Sequence, residues 1–251
     1  MKDVRFFVGL HQPSDAKRVP DSFISVNRLR DRKSDFTVGD WIMDSGAFST
    51  ILTHGGYPEG VEEYAKQINR WKQCGNLLAA VAQDYMCEPG MLKLTGLTVA
   101  DHQRLTIERY DALLPLVTDC YIMPVLQGYD PSDYVDHIRQ YGERLKPGMW
   151  VGVGSVCKRN GNPGAIAEVL MAIKGDRPDL QLHGFGLKKT ALQFGLVRAL
   201  LHTADSMAWS YHARKNGRSA NDWREARDFA SKIIRMEFQR PLFWRSAFDT
   251  L

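Results

Sequence analysis

Polar side chains that could perform chemistry stand where apolar segments of this sequence end. A carboxylate in apolar surroundings is costly unless it meets a partner or a ligand, so each acid at such a point needs a reason. Two carboxylates in one pocket can divide the work of nucleophile and general acid/base, as in retaining glycosidases. The candidates are Asp44 in "WIMDSG", Asp84 in "LLAAVAQDY", Gln127 in "YIMPVLQG", Gly152, Gly154 and Ser155 in "MWVGVGS", the turn "HGFGLK", and Asp205 in "DSMAWS".

Each candidate also has an ordinary structural explanation. Asp44, followed by Ser45 and Gly46, could cap a helix or accept hydrogen bonds in a turn. Asp84 could pair with a basic residue of a neighbouring loop, and Gln127 before a glycine could be a turn residue. Asp205 could serve a salt bridge or a helix dipole. If all of them lie at one end of a barrel, a shared catalytic site is a better explanation than separate structural roles.

The elements that must position these residues alternate between two kinds. Short apolar, β-branched runs are typical of parallel strands covered on both faces. Between them lie amphipathic segments with helix signals, such as Thr98 with Asp101 three residues later, and Asp130 followed by Pro131. The strands are predicted at residues 4–10, 23–29, 41–46, 77–85, 121–128, 149–155, 180–187 and 205–210.

About eight strands in about 210 residues favour a (β/α)8 TIM-like barrel in an α/β protein over a doubly wound sheet. The run "VGVGS" offers only G-x-G, a weak match to a dinucleotide-binding loop. We expect one domain over residues 1–251, with a C-terminal helix at about 221–239. Catalytic residues of such barrels lie at the carboxyl ends of the strands, where the candidates are.

Charge is distributed unevenly along the chain. The formal net charge is +4, and the basic excess lies at the two ends: 8 Lys/Arg against 6 Asp/Glu in residues 1–40, and 10 against 6 from Arg198 onward. Such ends would suit a nucleic-acid backbone if they converge in space, although a solvated surface explains them equally well. No apolar run is long enough to span a membrane and no secretory signal is recognisable, so we expect a cytoplasmic protein without a membrane partner.

The motifs "MDSGAFS", "AQDY", "VLQGY", "VGVGS", "HGFGLK" and "ADSMAWSYHARKNGR" occur in an order that resembles the tRNA-guanine transglycosylase superfamily. The resemblance covers roughly residues 41–218, and the order of the motifs makes it specific. It implies a pentosyltransferase that exchanges guanine for a 7-deazaguanine. Asp205 would be the nucleophile that forms a covalent sugar intermediate, and Asp44 the general acid/base.

The resemblance also implies a base-binding set. Asp84 and Gln127 would hydrogen-bond the purine edge, and Gly152 and Gly154 would let backbone amides approach the base. Ser45 and Gly46 would keep the turn beside Asp44 narrow enough for a flat ring.

The departures from the tRNA enzymes bear on the substrate. Those enzymes carry a C-x-C-x-x-C and histidine zinc site toward the C-terminus, whereas this chain has no cysteine after Cys157. Ala47 also replaces a glycine of the tRNA-enzyme motifs, and Ala208 with Trp209 replaces the proline after the late Asp. The chain looks more like the compact DpdA-type enzymes that insert 7-deazaguanines, such as 7-cyano-7-deazaguanine, into DNA. The expected partners are guanine-containing double-stranded DNA and a 7-deazaguanine base, with helper proteins that open the duplex, and neither metal nor cofactor.

Binding to DNA would need cationic and aromatic side chains near the site. An extruded base could stack on Tyr85, Trp209 or Tyr211, with core packing as the alternative for Trp209. Two basic segments could follow the phosphates, or could be exposed basic turns. They comprise His212, Arg214, Lys215 and Arg218 after the proposed nucleophile, and Lys158 with Arg159 in another loop.

The leading hypothesis is therefore a DNA base-exchange enzyme in the cytoplasm of a bacterium or of a phage-infected host. Three alternatives stay open at this point. The enzyme could act on tRNA or a nucleoside, the chain could be a non-catalytic barrel that binds nucleic acid or a partner, or it could be an unrelated barrel hydrolase that uses the same two acids. Retention of both Asp44 and Asp205 argues against the non-catalytic barrel.

Overall fold

The computed structural model of the protein describes residues 4–236. Their strands all pair in parallel, in the spatial order β5-β4-β3-β2-β1-β9-β8-β7-β6, and helices flank them. This arrangement confirms the predicted fold class, a parallel α/β barrel. The strands are β1 Arg5–Gly9, β2 Asp21–Ser25, β3 Asp40–Asp44, β4 Asn76–Val81, β5 Ile122–Met123, β6 Val125–Leu126, β7 Trp150–Val153, β8 Gln181–Gly184 and β9 Thr203–Ser206.

The barrel has nine strands and not the eight predicted, because one predicted strand is split. Residues 121–128 form β5 and β6, which are separated by Pro124 alone. Proline has no N–H to donate to a sheet, so a strand is readily interrupted there. β5 pairs with β4 and β6 pairs with β7, so the two ends of the strand order adjoin along the chain and the barrel is nearly closed.

Side chains alternate between the barrel interior and the helix layer, as they must in strands of period two. In β1, Phe7 belongs to the interior cluster, whereas Phe6 and Val8 pack in the larger outer core. The interior cluster is small and apolar. It consists of Phe7, Ile42, Ala79, Val81, Met123 and Val125, with Phe23, Leu78, Tyr121, Trp150 and Phe185 packed against it.

The helices follow the predicted pattern, with three additions and one break. The sequence pattern does not predict the short helices α1, α3 and α9, and Phe194 separates α7 from α8 within the amphipathic segment "KTALQFGLVRALLH" that begins at Lys189. The helices are α1 Ala47–His54, α2 Val61–Trp71, α3 Pro89–Thr95, α4 Val99–Leu113, α5 Pro131–Tyr141, α6 Pro163–Asp176, α7 Lys189–Gln193, α8 Gly195–Leu200, α9 Ala208–Lys215 and α10 Trp223–Ile234.

Two strand ends differ from the prediction in ways that matter for the site. β2 stops at Ser25, whose Oγ accepts a hydrogen bond of 3.4 Å from the N–H of Asn27, and Val26–Arg28 form a 3-10 turn. The predicted strand 205–210 instead ends at Ser206, and α9 begins at Ala208. Asp205 therefore lies within a strand.

The two basic ends of the chain converge, as far as they are described. α10 packs on β1, with the rings of Phe6 and Phe229 5.9 Å apart, and the Arg18 guanidinium lies 4.6 Å from the Trp223 ring. α10 corresponds to the predicted C-terminal helix at about 221–239, of which residues 237–239 lie outside the described residues. Within residues 4–236 no helix is both long and apolar enough to span a bilayer. The single domain over residues 1–251 stays a prediction.

Candidate active site

Strand periodicity places Asp44 and Asp205 at the barrel interior. Ile42 faces inward in β3, so Asp44 two residues later faces the same way. Ala204 packs in the outer core, so its neighbour Asp205 faces inward. The two carboxylates thus come from strands on either side of β1 and β2 and meet at the same end of the barrel.

Two cavities meet at these acids. A narrow cavity of about 320 Å³ is lined by Asp84, Gln127 and Ser155 among others. A wide cavity of about 700 Å³ is lined by Asn27, Arg28 and other residues that follow β2 and β3. The residues that line both are Phe23, Asp44, Phe48 and Asp205.

Asp205 is held through one oxygen only. The N–H of Gly186 donates to its Oδ1 over 3.0 Å, and Nε2 of His183 lies 3.3 Å from the same atom. Among the described residues, no donor reaches Oδ2. Asp205 is 5% exposed and contacts both cavities, so a fixed carboxylate has one oxygen free to react.

The position of the His183 proton follows from its neighbours. An ionised carboxylate only accepts, so the bond to Asp205 requires a proton on Nε2. In a neutral imidazole Nδ1 then accepts, and the Thr203 hydroxyl, 2.8 Å away, donates to it. The Trp150 indole N–H donates to the same hydroxyl over 2.7 Å. This chain of hydrogen bonds fixes the ring that orients Asp205.

Asp44 has an electrostatic environment that favours the protonated form. Burial and the negative charge of Asp205 raise the pKa of Asp44 to about 6, against hydrogen bonds from Ser25 and Gly46 that lower it. The Gly46 N–H donates to Oδ2 over 3.1 Å. A carboxyl group that titrates near neutral pH can both give and take a proton.

Asp84 and Gln127 form a hydrogen-bonded pair in the narrow cavity. Nε2 of Gln127 donates to Oδ2 of Asp84, and Oε1 of Gln127 accepts from the Ser155 hydroxyl over 2.9 Å. Burial, followed by repulsion from Asp44, raises the pKa of Asp84 to about 7, against the lowering effect of the Gln127 bond. The pair presents a carboxylate acceptor beside the second amide hydrogen of Gln127.

Gly152 in β7 and Gly154 in the loop after it leave room for neighbouring side chains, but their amides are not free to donate to a base. The Gly152 N–H donates to the carbonyl of Pro124 and the Gly154 N–H to that of Leu126, each over 2.9 Å, so neither amide is available to a base. A Cβ at Gly152 would lie 2.4 Å from the Phe185 ring, and one at Gly154 would lie 2.1 Å from Nε2 of Gln127.

Ser45 and Gly46 lie beside the acids, as the sequence suggested, with different surroundings. Ser45 is buried, and its hydroxyl donates to Oδ1 of Asp84 over 3.5 Å. Gly46 adopts a left-handed φ of 73°, and a Cβ there would meet Asn27 at 2.4 Å. Glycine is therefore required at this turn for conformation as well as for space.

The basic residues after Asp205 form an exposed surface on and beside α9. His212, Arg214 and Lys215 are exposed on the helix, and the next predicted residue, Arg218, pairs with Glu225 over 2.5 Å. The first three are thus open to solvent, and Arg218 is neutralised within the chain.

Lys158 and Arg159, the second basic segment, have different surroundings. The Lys158 ammonium lies 4.6 Å from the centre of the Phe48 ring and lines the narrow cavity. Arg159 instead donates to the carbonyl of Tyr129 and stacks 4.3 Å from that ring. Only Lys158 is placed next to the carboxylates.

The aromatic candidates are distributed differently from the prediction. Trp209 is buried, donates its indole N–H to the carbonyl of Gly9 over 2.7 Å and lines neither cavity, which agrees with its core alternative. Tyr85 is buried and Tyr211 is exposed on α9. The rings that line the narrow cavity are Phe23, Phe48 and Phe185.

Sequence reasoning missed several residues of the site. His183 occurs in the "HGFGLK" turn and Phe23 in the predicted strand 23–29, but neither stands out by type or spacing as a site residue. Asn27 and Arg28 fall within the predicted strand 23–29, whereas in the structure they lie in a 3-10 turn that lines the wide cavity. In residues 4–236, no group of three or more His, Cys, Asp and Glu side chains is arranged to hold a metal ion.

The family model described as "DpdA: DeoxyPurine in DNA protein A" matches residues 1–235. No curated protein matches the chain. The matched segment includes all the residues that line the two cavities.

Proposed function

The chain belongs to the DpdA family, because the match covers residues 1–235 of 251, and we propose that it replaces guanine in DNA with a 7-deazaguanine. Family membership indicates a transglycosylase that modifies DNA. The observation that carries the finer proposal is the junction of a narrow and a wide cavity at Asp44 and Asp205. A base in one cavity and the strand in the other would place the glycosidic bond between the two acids.

The narrow cavity has the polarity that a guanine edge requires. Guanine presents N–H donors at N1 and N2 beside the acceptor O6, and Asp84 can accept while Gln127 donates. Adenine presents a different pattern and would leave these buried groups unpaired. A 7-deazaguanine shares the guanine edge, so one cavity can hold the leaving and the incoming base.

In the first half-reaction, Asp205 would attack C1′ of the deoxyguanosine through its free Oδ2. The C1′–N9 bond breaks and its electron pair stays on guanine, which takes a proton from Asp44. The product is free guanine and a sugar ester of Asp205. The orientation of Asp205 by Gly186 and His183 prepares this attack before DNA binds.

The second half-reaction reverses these transfers with another base. Asp44 takes the N9 proton of the 7-deazaguanine, N9 attacks C1′, and the ester bond breaks to restore the Asp205 carboxylate. When Asp205 is esterified it loses the charge that raises the pKa of Asp44, so the ionised form of Asp44 becomes more favourable. One negative charge thus moves between the two acids in each half-reaction.

The wide cavity is suited to the DNA strand that carries the target nucleotide. The Arg28 guanidinium lines this cavity and has no carboxylate partner among the described residues; its Nη2 lies 3.2 Å from Nδ1 of His11. A guanidinium with free donors matches the geometry of a phosphate. Burial lowers the pKa of His11, and the charges of Arg28 and Arg214 lower it further, so both arginines lie near this ring. The basic surface therefore continues from the cavity to α9.

Arg28→Ala is expected to weaken DNA binding about tenfold and to reduce the slope of log affinity against log salt by about one, as loss of one phosphate contact does. Binding of the free base should not change, because Arg28 does not line the narrow cavity. Fluorescence anisotropy over a salt series measures both quantities. Arg139→Ala, at an exposed arginine of α5 paired with Asp136, is the control. An unchanged salt slope in Arg28→Ala would refute the phosphate contact.

The experiment that tests the proposed function measures the release of labelled guanine. The protein is incubated with a 7-deazaguanine and with one of three labelled polymers: duplex DNA, duplex DNA with mismatched guanine, or tRNA. We expect release from DNA, faster from the mismatched site, because an unpaired base is easier to extrude. Release from tRNA alone would show that the polymer is RNA. Release from none of them would refute base exchange.

A further inference from the structure

His11 lies between residues that follow three neighbouring strands. It follows β1, whereas Arg28 follows β2 and Ser210 follows β9, and the strand order places β1 between the other two. Nη2 of Arg28 lies 3.2 Å from Nδ1 of His11, and Oγ of Ser210 lies 2.8 Å from Nε2. The imidazole therefore connects the arginine at the wide cavity with α9, the helix that follows the strand of Asp205.

The direction of these two hydrogen bonds follows from the chemistry of the partners. A guanidinium can only donate, so Nδ1 of His11 must be the unprotonated nitrogen that accepts from Arg28. In the neutral imidazole the proton is then on Nε2, which donates to the Ser210 hydroxyl. The neutral ring is favoured, because burial and then the two nearby arginine charges lower the pKa of His11. The histidine can therefore serve as an uncharged acceptor for a cation.

The ring of His11 is also held by packing. Trp209 meets it in a T-shaped arrangement, with ring centroids 5.9 Å apart and an interplanar angle of 69°. Trp209 is itself fixed, because it is buried and its indole N–H donates to the carbonyl of Gly9 over 2.7 Å. Two consecutive residues of α9, Trp209 and Ser210, thus hold the imidazole so that its accepting nitrogen faces Arg28.

A flexible arginine loses side-chain freedom when it meets a phosphate, and this loss weakens binding. Among the described residues, His11 is the only hydrogen-bond partner of the Arg28 guanidinium, and no carboxylate pairs with it. We propose, on the basis of the phosphate contact proposed above, that His11 is a positioning residue that orders Arg28 at the wide cavity before DNA binds. Because the ring is neutral, His11 acts through Arg28 and not through a charge of its own.

A double-mutant cycle on DNA affinity tests this role. His11→Ala should weaken DNA binding about fivefold, as the need to order one flexible side chain on binding implies. The salt slope should not change, because Arg28 still reaches its phosphate. In an Arg28→Ala background, the same substitution should change the affinity by less than about twofold. In the exchange assay, His11→Ala should raise KM for DNA and leave kcat near the wild-type value.

Two further variants complete the cycle. His11→Asn should recover most of the lost affinity, because its Oδ1 can accept from Arg28 in place of Nδ1. His54→Ala is the matched control, since His54 lines the same cavity without a hydrogen bond to Arg28, and its effect should be equal in both backgrounds. Binding of the free base in the narrow cavity reports whether each variant is folded.

Equal weakening by His11→Ala in the presence and absence of Arg28 would overturn the positioning role, and so would unchanged DNA affinity in a folded His11→Ala protein. If Arg28→Ala bound DNA as wild type does, the phosphate contact would be refuted, and the role of His11 with it. Absence of guanine release in wild type would instead refute the exchange reaction, and the cycle, which measures DNA binding alone, would still decide the role of His11.

Discussion

Asp205→Asn is expected to abolish base exchange, with a loss of about 10⁴-fold or more, because a carboxamide oxygen is a poor nucleophile. Asparagine keeps the shape of the side chain, and its Oδ1 can still accept from Gly186 and His183. Binding of DNA and of the free base should therefore stay within about threefold of wild type. With labelled DNA and no incoming base, wild-type protein should form a covalent adduct on a denaturing gel, and the variant should form none.

The matched control is Asp136→Asn, an exposed aspartate of α5, which should form the adduct at the wild-type rate. A persisting adduct in Asp205→Asn would mean that another residue attacks C1′, whereas a lost adduct with lost DNA binding would mean that Asp205 acts in binding.

His183 holds the proposed nucleophile in place. His183 touches Asp205 but not the cavities, so it is a positioning residue, fixed through Thr203 and Trp150. Its effect would depend on the hydrogen bond from Nε2, whereas the proposed attack would use the free oxygen on the other side of the carboxylate. In that mechanism, one oxygen of Asp205 is held while the other can react.

Much of the barrel could be predicted because local signals and tertiary packing agree. The capping boxes at Thr98 with Asp101 and at Asp130 with Asp133 set the starts of α4 and α5. All eight predicted strands have counterparts, because buried parallel strands are apolar on both faces. The interruption of the strand at Pro124 could not be predicted from the sequence alone. It depends on β5 pairing with β4 and β6 pairing with β7, and a single sequence does not contain these pairings.

The site was predicted only as far as chain order and residue type could indicate it. Asp44, Asp84, Gln127 and Asp205 come together because barrel strands end at one rim. Arg28 lies at the same rim because the chain leaves β2 at Ser25 in a 3-10 turn, which apolar periodicity through residues 23–29 concealed. His183 and Phe23 belong to the site through packing, as their rings stack 5.7 Å apart, and packing across a barrel leaves no local pattern.

The rate of adduct formation at low DNA concentration should be bell-shaped in pH. Asp44 must be protonated to act as an acid, and with its pKa raised to about 6 the protonated fraction falls above that pH. Asp84 must be ionised to accept the guanine N–H groups, and with its pKa raised to about 7 the ionised fraction is small below that pH. The rate follows the product of the two fractions, which rises up to about pH 6 and falls above about pH 7. The maximum is expected between these values. A rate that keeps rising above pH 8 would exclude an acid role for Asp44.

Asp44→Asn separates the acid role from every other contribution of this residue. With ordinary guanine, adduct formation should fall about 10²- to 10⁴-fold, as loss of a general acid does, and the residual rate should lose the falling limb of the pH profile. DNA that contains 7-methylguanine should restore most of the rate at about pH 6.5, because that base already carries a positive charge and leaves as a neutral molecule without a proton. Asp205→Asn should stay inactive on the same DNA, because the methylated base still requires a nucleophile. An Asp44→Asn protein that is equally slow on both bases would show that Asp44 positions the nucleotide and transfers no proton.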